Sequence, residues 1–128
     1  MRMACVALVM LLFSPLIGHA VDKDYLYYRD VNIPPFQTLR EFFDLPDRSG
    51  KYEVTLVSED VGPLTFAMIK VREEHESAIE RSRSFKIGRH EFQAKFPNPG
   101  GKFDLIVAIT NSNPTAKAKV SVYVVELP

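Results

Sequence analysis

The chain contains little cysteine, no tryptophan and no excess charge of either sign. Its 128 residues include one cysteine, which excludes a framework of internal disulfides. The 16 basic residues balance the 16 acidic ones, so composition gives no electrostatic signal for nucleic acid or for an anionic membrane. We therefore expect no nucleic-acid partner. Hydrophobic residues at 46% and charged residues at 25% are typical of one globular domain held by a hydrophobic core.

Residues 1–20 differ in character from the rest of the chain. They begin with Arg2, continue as an apolar run of about fifteen residues, and end with Gly18-His19-Ala20, which offers small residues to a signal peptidase. The run is shorter than the roughly 20 residues that span a bilayer, which disfavours the alternative of an uncleaved anchor. We predict a signal peptide at 1–20, one domain at 21–128, a secreted or periplasmic location, and membrane contact only through the precursor signal.

The remaining sequence is typical of short β-strands between turns. Alternating or β-branched apolar residues, bounded by Gly, Pro, Asn and Ser, predict strands rather than helices. These segments are Asp24–Val31, Lys51–Ser58, Leu64–Val71, Ser84–Ile87, His90–Phe96, Lys102–Thr110 and Lys117–Glu126. Gln37–Leu45 fits either a helix or a strand, and a strand is favoured. Seven or eight short antiparallel strands without a long helix predict an all-β fold, a β-sandwich.

The alternation also predicts pairing and burial. His90–Phe96 and Lys102–Thr110 flank a Pro- and Gly-rich turn, so we expect them to form a hairpin. Within the strands, Val107 and Val122 occupy the apolar phase, whereas Lys119 occupies the polar phase. We expect both valines to be buried and the lysine to be exposed.

Candidate chemistry is concentrated in the run Glu73-Glu74-His75-Glu76. Carboxylates and imidazole bind metals, but the spacing of a zinc or calcium site is absent, so we expect no metal and no cofactor. Residues 72–83 instead predict a charged, exposed connection, which is either a binding loop or an insertion without a role. His90 is expected to be partly exposed at a strand end. No Gly-x-Ser-x-Gly motif or other nucleophile setting is found, so we expect no enzyme activity.

A second candidate surface consists of aromatic residues. Tyr25, Tyr27 and Tyr28 cluster near the start of the mature chain. Exposed tyrosines would form a contact surface for a protein or a sugar, although the lack of tryptophan weakens the sugar interpretation. The alternative is that these rings pack on the sandwich.

Two passages resemble known envelope domains. Phe42-Phe43-Asp44-Leu45-Pro46 followed by Gly50–Ser58 is similar to a passage of the maltose-operon periplasmic protein family. Pro99-Gly100-Gly101-Lys102-Phe103 and the strand after it resemble pre-peptidase C-terminal-type domains, with Phe103 where those domains often have tyrosine. The resemblance implies a jelly-roll-like sandwich that binds rather than catalyses, and it carries over no ligand residue. The expected partner is another protein, with a glycan as the alternative.

The predicted signal peptide can be tested by the mass of the mature protein. The mature protein should begin at Val21, because Gly18-His19-Ala20 closes the apolar run. Intact-mass measurement on protein from the native host checks this. Recovery of a membrane-bound species that retains residues 1–20 would contradict it.

Overall fold

The computed structural model describes residues 25–60, 62–86 and 88–128, so the predicted signal peptide lies outside the described residues. The described part forms eight strands and one 3₁₀ turn, Pro99–Gly101. The strands are β1 (Tyr25–Ile33), β2 (Gln37–Phe43), β3 (Gly50–Ser58), β4 (Leu64–Arg72), β5 (His75–Ser84), β6 (His90–Asn98), β7 (Asp104–Asn111) and β8 (Ala118–Leu127). The predicted strand at 37–45 is confirmed, and no described helix is long and apolar enough to cross a membrane.

The strands form two antiparallel four-stranded sheets. The first sheet has the order β1-β8-β3-β6 and the second has the order β2-β7-β4-β5. Only β4 and β5 are consecutive strands within one sheet, and the other connections join one sheet to the other. This arrangement is an eight-stranded jelly roll, which confirms the all-β sandwich.

The predicted hairpin between β6 and β7 is wrong. β6 pairs with β3 in the first sheet, whereas β7 lies between β2 and β4 in the second. The turn at Pro99–Gly101 therefore carries the chain across the sandwich. A turn signal marks where a strand ends, but it does not decide which sheet the next strand joins.

The core lies between the two sheets and is formed by the apolar phase of each strand. Val107 and Val122 are fully buried on opposite sheets, and Lys119 is exposed, as predicted. Other residues with no measurable exposure are Ile33, Phe43, Tyr52, Val54, Leu56, Leu64, Met68, Leu105, Ile109, Ala118, Val120 and Val124.

Two buried asparagines hold the connections at the ends of the sandwich. The Asn98 side chain accepts hydrogen bonds from the amides of Lys102 and Phe103 and donates to the Phe103 carbonyl. The Asn111 side chain donates to the carbonyls of Ile33 and Ala116, at 3.0 and 2.8 Å. These amides satisfy backbone groups that the sheets leave without partners.

The segment predicted as a long loop at 72–83 is a strand. Arg72 pairs with His75, so Glu73 and Glu74 alone form the turn between β4 and β5. Both have left-handed φ angles, 50° and 74°, as a type I′ hairpin requires. β5 ends at Ser84, so the strand predicted at Ser84–Ile87 is wrong at Phe85 and Lys86, and Ile87 itself is not described. Glu-Glu lacks the Asn-Gly signal of such turns, which is why sequence reasoning missed this hairpin.

This turn generates a stability prediction. A left-handed conformation costs a non-glycine residue roughly 1–2 kcal/mol. Glu74→Gly should therefore raise the free energy of unfolding by about 1 kcal/mol, after allowance for glycine's greater freedom in the unfolded chain. Thermal and urea unfolding measure the change. The matched control, Glu80→Gly within β5, should lower stability by about 0.5–1 kcal/mol. If both substitutions destabilise the protein, the left-handed conformation assigned to Glu74 is wrong.

Candidate functional site

Three tyrosines, two exposed and one half-buried, form a cluster on the outer side of the first sheet. Tyr25 and Tyr28 lie on β1 and are 51% and 52% exposed, and Tyr123 lies on the neighbouring β8. The centroid of the Tyr123 ring lies 5.3 Å from that of Tyr25 and 4.9 Å from that of Tyr28, with the rings tilted by 43° and 37°. We call these three side chains the tyrosine face. Mutual stacking holds the exposed rings in place before any partner arrives.

Polar groups border the tyrosine face. The hydroxyl of Tyr28 donates to the Asp30 carboxylate at 3.0 and 3.1 Å, and the Ser121 hydroxyl donates to the same carboxylate at 2.6 Å. The bond from Ser121, followed by the one from Tyr28, lowers the pKa of Asp30. The bond to Asp30 raises the pKa of Tyr28, because it stabilises the protonated phenol. The face therefore presents apolar rings beside a fixed negative charge.

The third predicted tyrosine does not belong to this face. Tyr27 points between the sheets, where its ring centroid lies 5.2 Å from that of Phe43 and its hydroxyl donates to the Asp44 carbonyl at 2.6 Å. An irregular register between Tyr25 and Tyr27 puts Tyr25 on the same side as Tyr28. Both interpretations of the tyrosines were thus partly right, since two are exposed and one packs on the core.

Sequence reasoning missed Tyr123, Asp30 and Ser121 as members of this surface. Tyr123 occupies the polar phase of an alternating strand, which was a signal for an exposed aromatic side chain. Its contact with β1 was not predictable, because β1 and β8 lie at opposite ends of the sequence.

The structure separates the four residues of the run Glu73–Glu76. Glu73 and His75 line a cleft between the open edges of β5 and β6, and Glu74 is exposed in the turn. Glu76 points to the outer side of the second sheet, where its carboxylate lies 2.6 Å from the Arg40 guanidinium. The pleat of β5 places His75 and Glu76 on opposite sides, so the four residues cannot act as one site, although Glu73 and His75 share the cleft.

The cleft between β5 and β6, which we call the edge cleft, has a volume of about 760 Å³. One wall comes from the β4–β5 hairpin, with Lys70, Arg72 and Ser77. The other wall comes from the end of β6 and the connection after it, with Phe96 and Phe103. Sequence patterns could not predict this cleft, because its walls are far apart along the chain.

His90 is fully buried, so the prediction of a partly exposed residue is wrong. Its Nδ1 atom lies 2.8 Å from the Ser84 hydroxyl and thereby links β6 to β5 at the end opposite the edge cleft. The distance is that of a nucleophile and its base. Burial keeps substrate from the imidazole, and its Nε2 atom has no hydrogen-bond partner among the described residues. The pair therefore joins the two sheets.

No group of three or more metal-ligating side chains that could hold a metal ion occurs within residues 25–60, 62–86 and 88–128. Three carboxylates do lie near one another at Asp44, Asp47 and Asp104, and the pKa of Asp104 is raised by burial and by the other two. Asp104 also accepts a hydrogen bond from the Leu45 amide at 2.8 Å, a contact that fixes the turn after β2.

Comparisons with known proteins show the fold. No protein-family model matches the chain, and no curated protein matches it significantly. A mitogen from Yersinia pseudotuberculosis aligns with a TM-score of 0.57 at 14% identity, over 80% of this chain and 86% of that one. Empty particles of cowpea mosaic virus give 0.59 at 11% identity, over 82% and 84%. At such identities the likeness establishes the β-sandwich and carries no information on function.

The tyrosine face generates a titration prediction. Tyr28 and Tyr52 both have a raised pKa, the first through its bond to Asp30 and the second through burial. Asp30→Ala should therefore lower the pKa of Tyr28 towards its usual value near 10 and leave that of Tyr52 raised. The ¹³Cζ shifts of the tyrosines, followed by NMR against pH, measure both. If the pKa of Tyr28 is the same in the Asp30→Ala variant as in the parent, the role given to Asp30 is wrong.

Proposed function

We propose that this protein is an exported, non-enzymatic binding module of the cell envelope, which binds another protein, as a ligand or as an inhibitor, through its tyrosine face. The observation that carries the proposal is the stacking of half-exposed Tyr25 and Tyr28 on Tyr123. Export remains the prediction made from residues 1–20.

The chemistry of the tyrosine face supports a protein partner. Tyrosine is enriched at the centres of protein interfaces, where a ring supplies a large contact area and a hydroxyl supplies a hydrogen bond. Here the rings are already held by one another, so binding costs little side-chain entropy. Charged side chains such as Asp30 and Lys119 lie around the rings and would form a polar rim.

A glycan is the alternative occupant. The Asp30 carboxylate, held by Ser121 beside the Tyr28 ring, places a hydrogen-bond acceptor for a sugar hydroxyl next to an apolar surface. The tilts of 43° and 37° mean that neither Tyr25 nor Tyr28 is coplanar with Tyr123, which favours the irregular surface of a protein.

Site-specific photocrosslinking in the native host tests the proposal. A benzophenone amino acid in place of Tyr28 should form an adduct with one protein partner. The matched control is the same replacement at Phe85, which is 69% exposed and lies away from the tyrosine face. It should form no such adduct.

Affinity measurements with the captured partner complete the test. The double variant Tyr25→Ser/Tyr28→Ser should weaken binding at least about 100-fold, because interface tyrosines at such positions commonly contribute about 2 kcal/mol each. Equal adducts at positions 28 and 85, or unchanged affinity of the double variant, would refute the protein-binding proposal. Binding to a glycan array that the double variant abolishes would replace the protein by a glycan.

A further inference from the structure

The edge cleft is a second concave surface with its own chemistry. It lies between the edges of β5 and β6, whereas the tyrosine face lies on β1 and β8 at the other side of the first sheet. Its volume of about 760 Å³ lies within the range of small-molecule sites, about 300–1,000 Å³.

The cleft exists because β5 cannot close this side of the sandwich. Lys70 pairs with both Leu105 and Ser77, which places Ser77 on the core side of the second sheet. Ser82, opposite the buried Phe66, lies on the same side. These small polar side chains fill little space, and Ile79 is the half-buried apolar residue of the strand. The two sheets therefore remain apart along β5 and β6.

Positive charge lines the opening. Lys70, Arg72 and Lys102 face the cleft, and Glu73 is the carboxylate among its lining residues. Within the described part of the chain, the ion pairs involve other side chains, so none of these three cations is neutralised by a carboxylate. Lys70, Arg72 and Lys102 are exposed residues, and a concave surface lined by charges of one sign attracts anions more strongly than isolated charges do.

The inner wall is aromatic. The rings of Phe96 and Phe103 lie with their centroids 6.3 Å apart, and the Lys70 ammonium lies 5.4 Å from the centroid of Phe103. The Lys70 ammonium therefore lies at the aromatic wall itself, and Arg72 and Lys102 also line the cleft. This combination suits a molecule with an acidic group attached to an apolar ring.

We infer that the edge cleft binds a small organic anion, in which a phosphate or carboxylate group contacts Lys70, Arg72 and Lys102 while an apolar ring packs against Phe96 and Phe103. This site is independent of the tyrosine face and of any partner bound there.

A titration of the ¹⁵N-labelled protein with phenyl phosphate tests the inference. The amide signals of Lys70, Ser77 and Phe103 should shift and saturate together. Inorganic phosphate carries the anionic group without the ring, and benzyl alcohol carries the ring without the charge. Each should bind at least tenfold more weakly than phenyl phosphate. Equal binding of inorganic phosphate, equal binding of benzyl alcohol, or shifts spread over the whole surface would refute the inference.

Charge-removing variants locate the anion. Arg72→Gln and Lys102→Gln should each weaken phenyl phosphate binding about tenfold, the loss typical of a hydrogen bond to a charged group. Lys95→Gln, on the exposed side of β6, is the matched control and should bind like the parent. Spectra that superimpose away from the cleft show that each variant is folded. Equal losses of affinity in all three variants would mean non-specific charge attraction and would contradict the inference. The double variant Tyr25→Ser/Tyr28→Ser should leave phenyl phosphate binding unchanged.

Discussion

Backbone polar groups must find hydrogen-bond partners wherever the chain passes from one sheet to the other, and this constraint governs the fold. With one hairpin among its described connections, the fold repeatedly crosses the ends of the sandwich, where no neighbouring strand supplies hydrogen bonds. The buried amides of Asn98 and Asn111 supply them, each to several backbone groups of nearby connections. The connection that Asn98 holds, Lys102-Phe103, also forms one wall of the edge cleft, so the same constraint shapes a candidate site.

The two long sides of the sandwich are closed by different means. Between β1 and β2, the Arg29 guanidinium lies 4.2 Å from the centroid of the Phe43 ring and 2.8 Å from the Glu41 carboxylate, so cation and apolar surface seal the edge together. Between β5 and β6, His90 contacts Ser84 at one end only. The open remainder is the edge cleft. We attribute the difference between the closed side and the open side to β5, whose small polar side chains do not fill the space between the sheets.

The two candidate surfaces arise from different levels of structure. The tyrosine face is the outer side of two paired strands, and its rings are held by contacts along the strand β1 and across to Tyr123. The edge cleft is a gap between sheets and needs the whole sandwich to exist. A binding module with both could hold a macromolecule on one side and a small anion on the other without either occupant touching the second surface.

Alternation of period two decides which side chains face inward, so sequence patterns were sufficient to predict the all-β class, the positions of most strands and the buried side of each. They identified Val107 and Val122 as buried, whereas the exposure of Tyr25 and Tyr28 was one of two alternatives and depends on the irregular register of β1. β5 was not predicted, because an edge strand with polar residues on both sides shows no apolar alternation. The pairing of the strands, the burial of His90 and the walls of the edge cleft became apparent only in the folded protein. The physical reason is that alternation fixes the face of a side chain, whereas its neighbours come from distant segments that meet only when the two sheets pack.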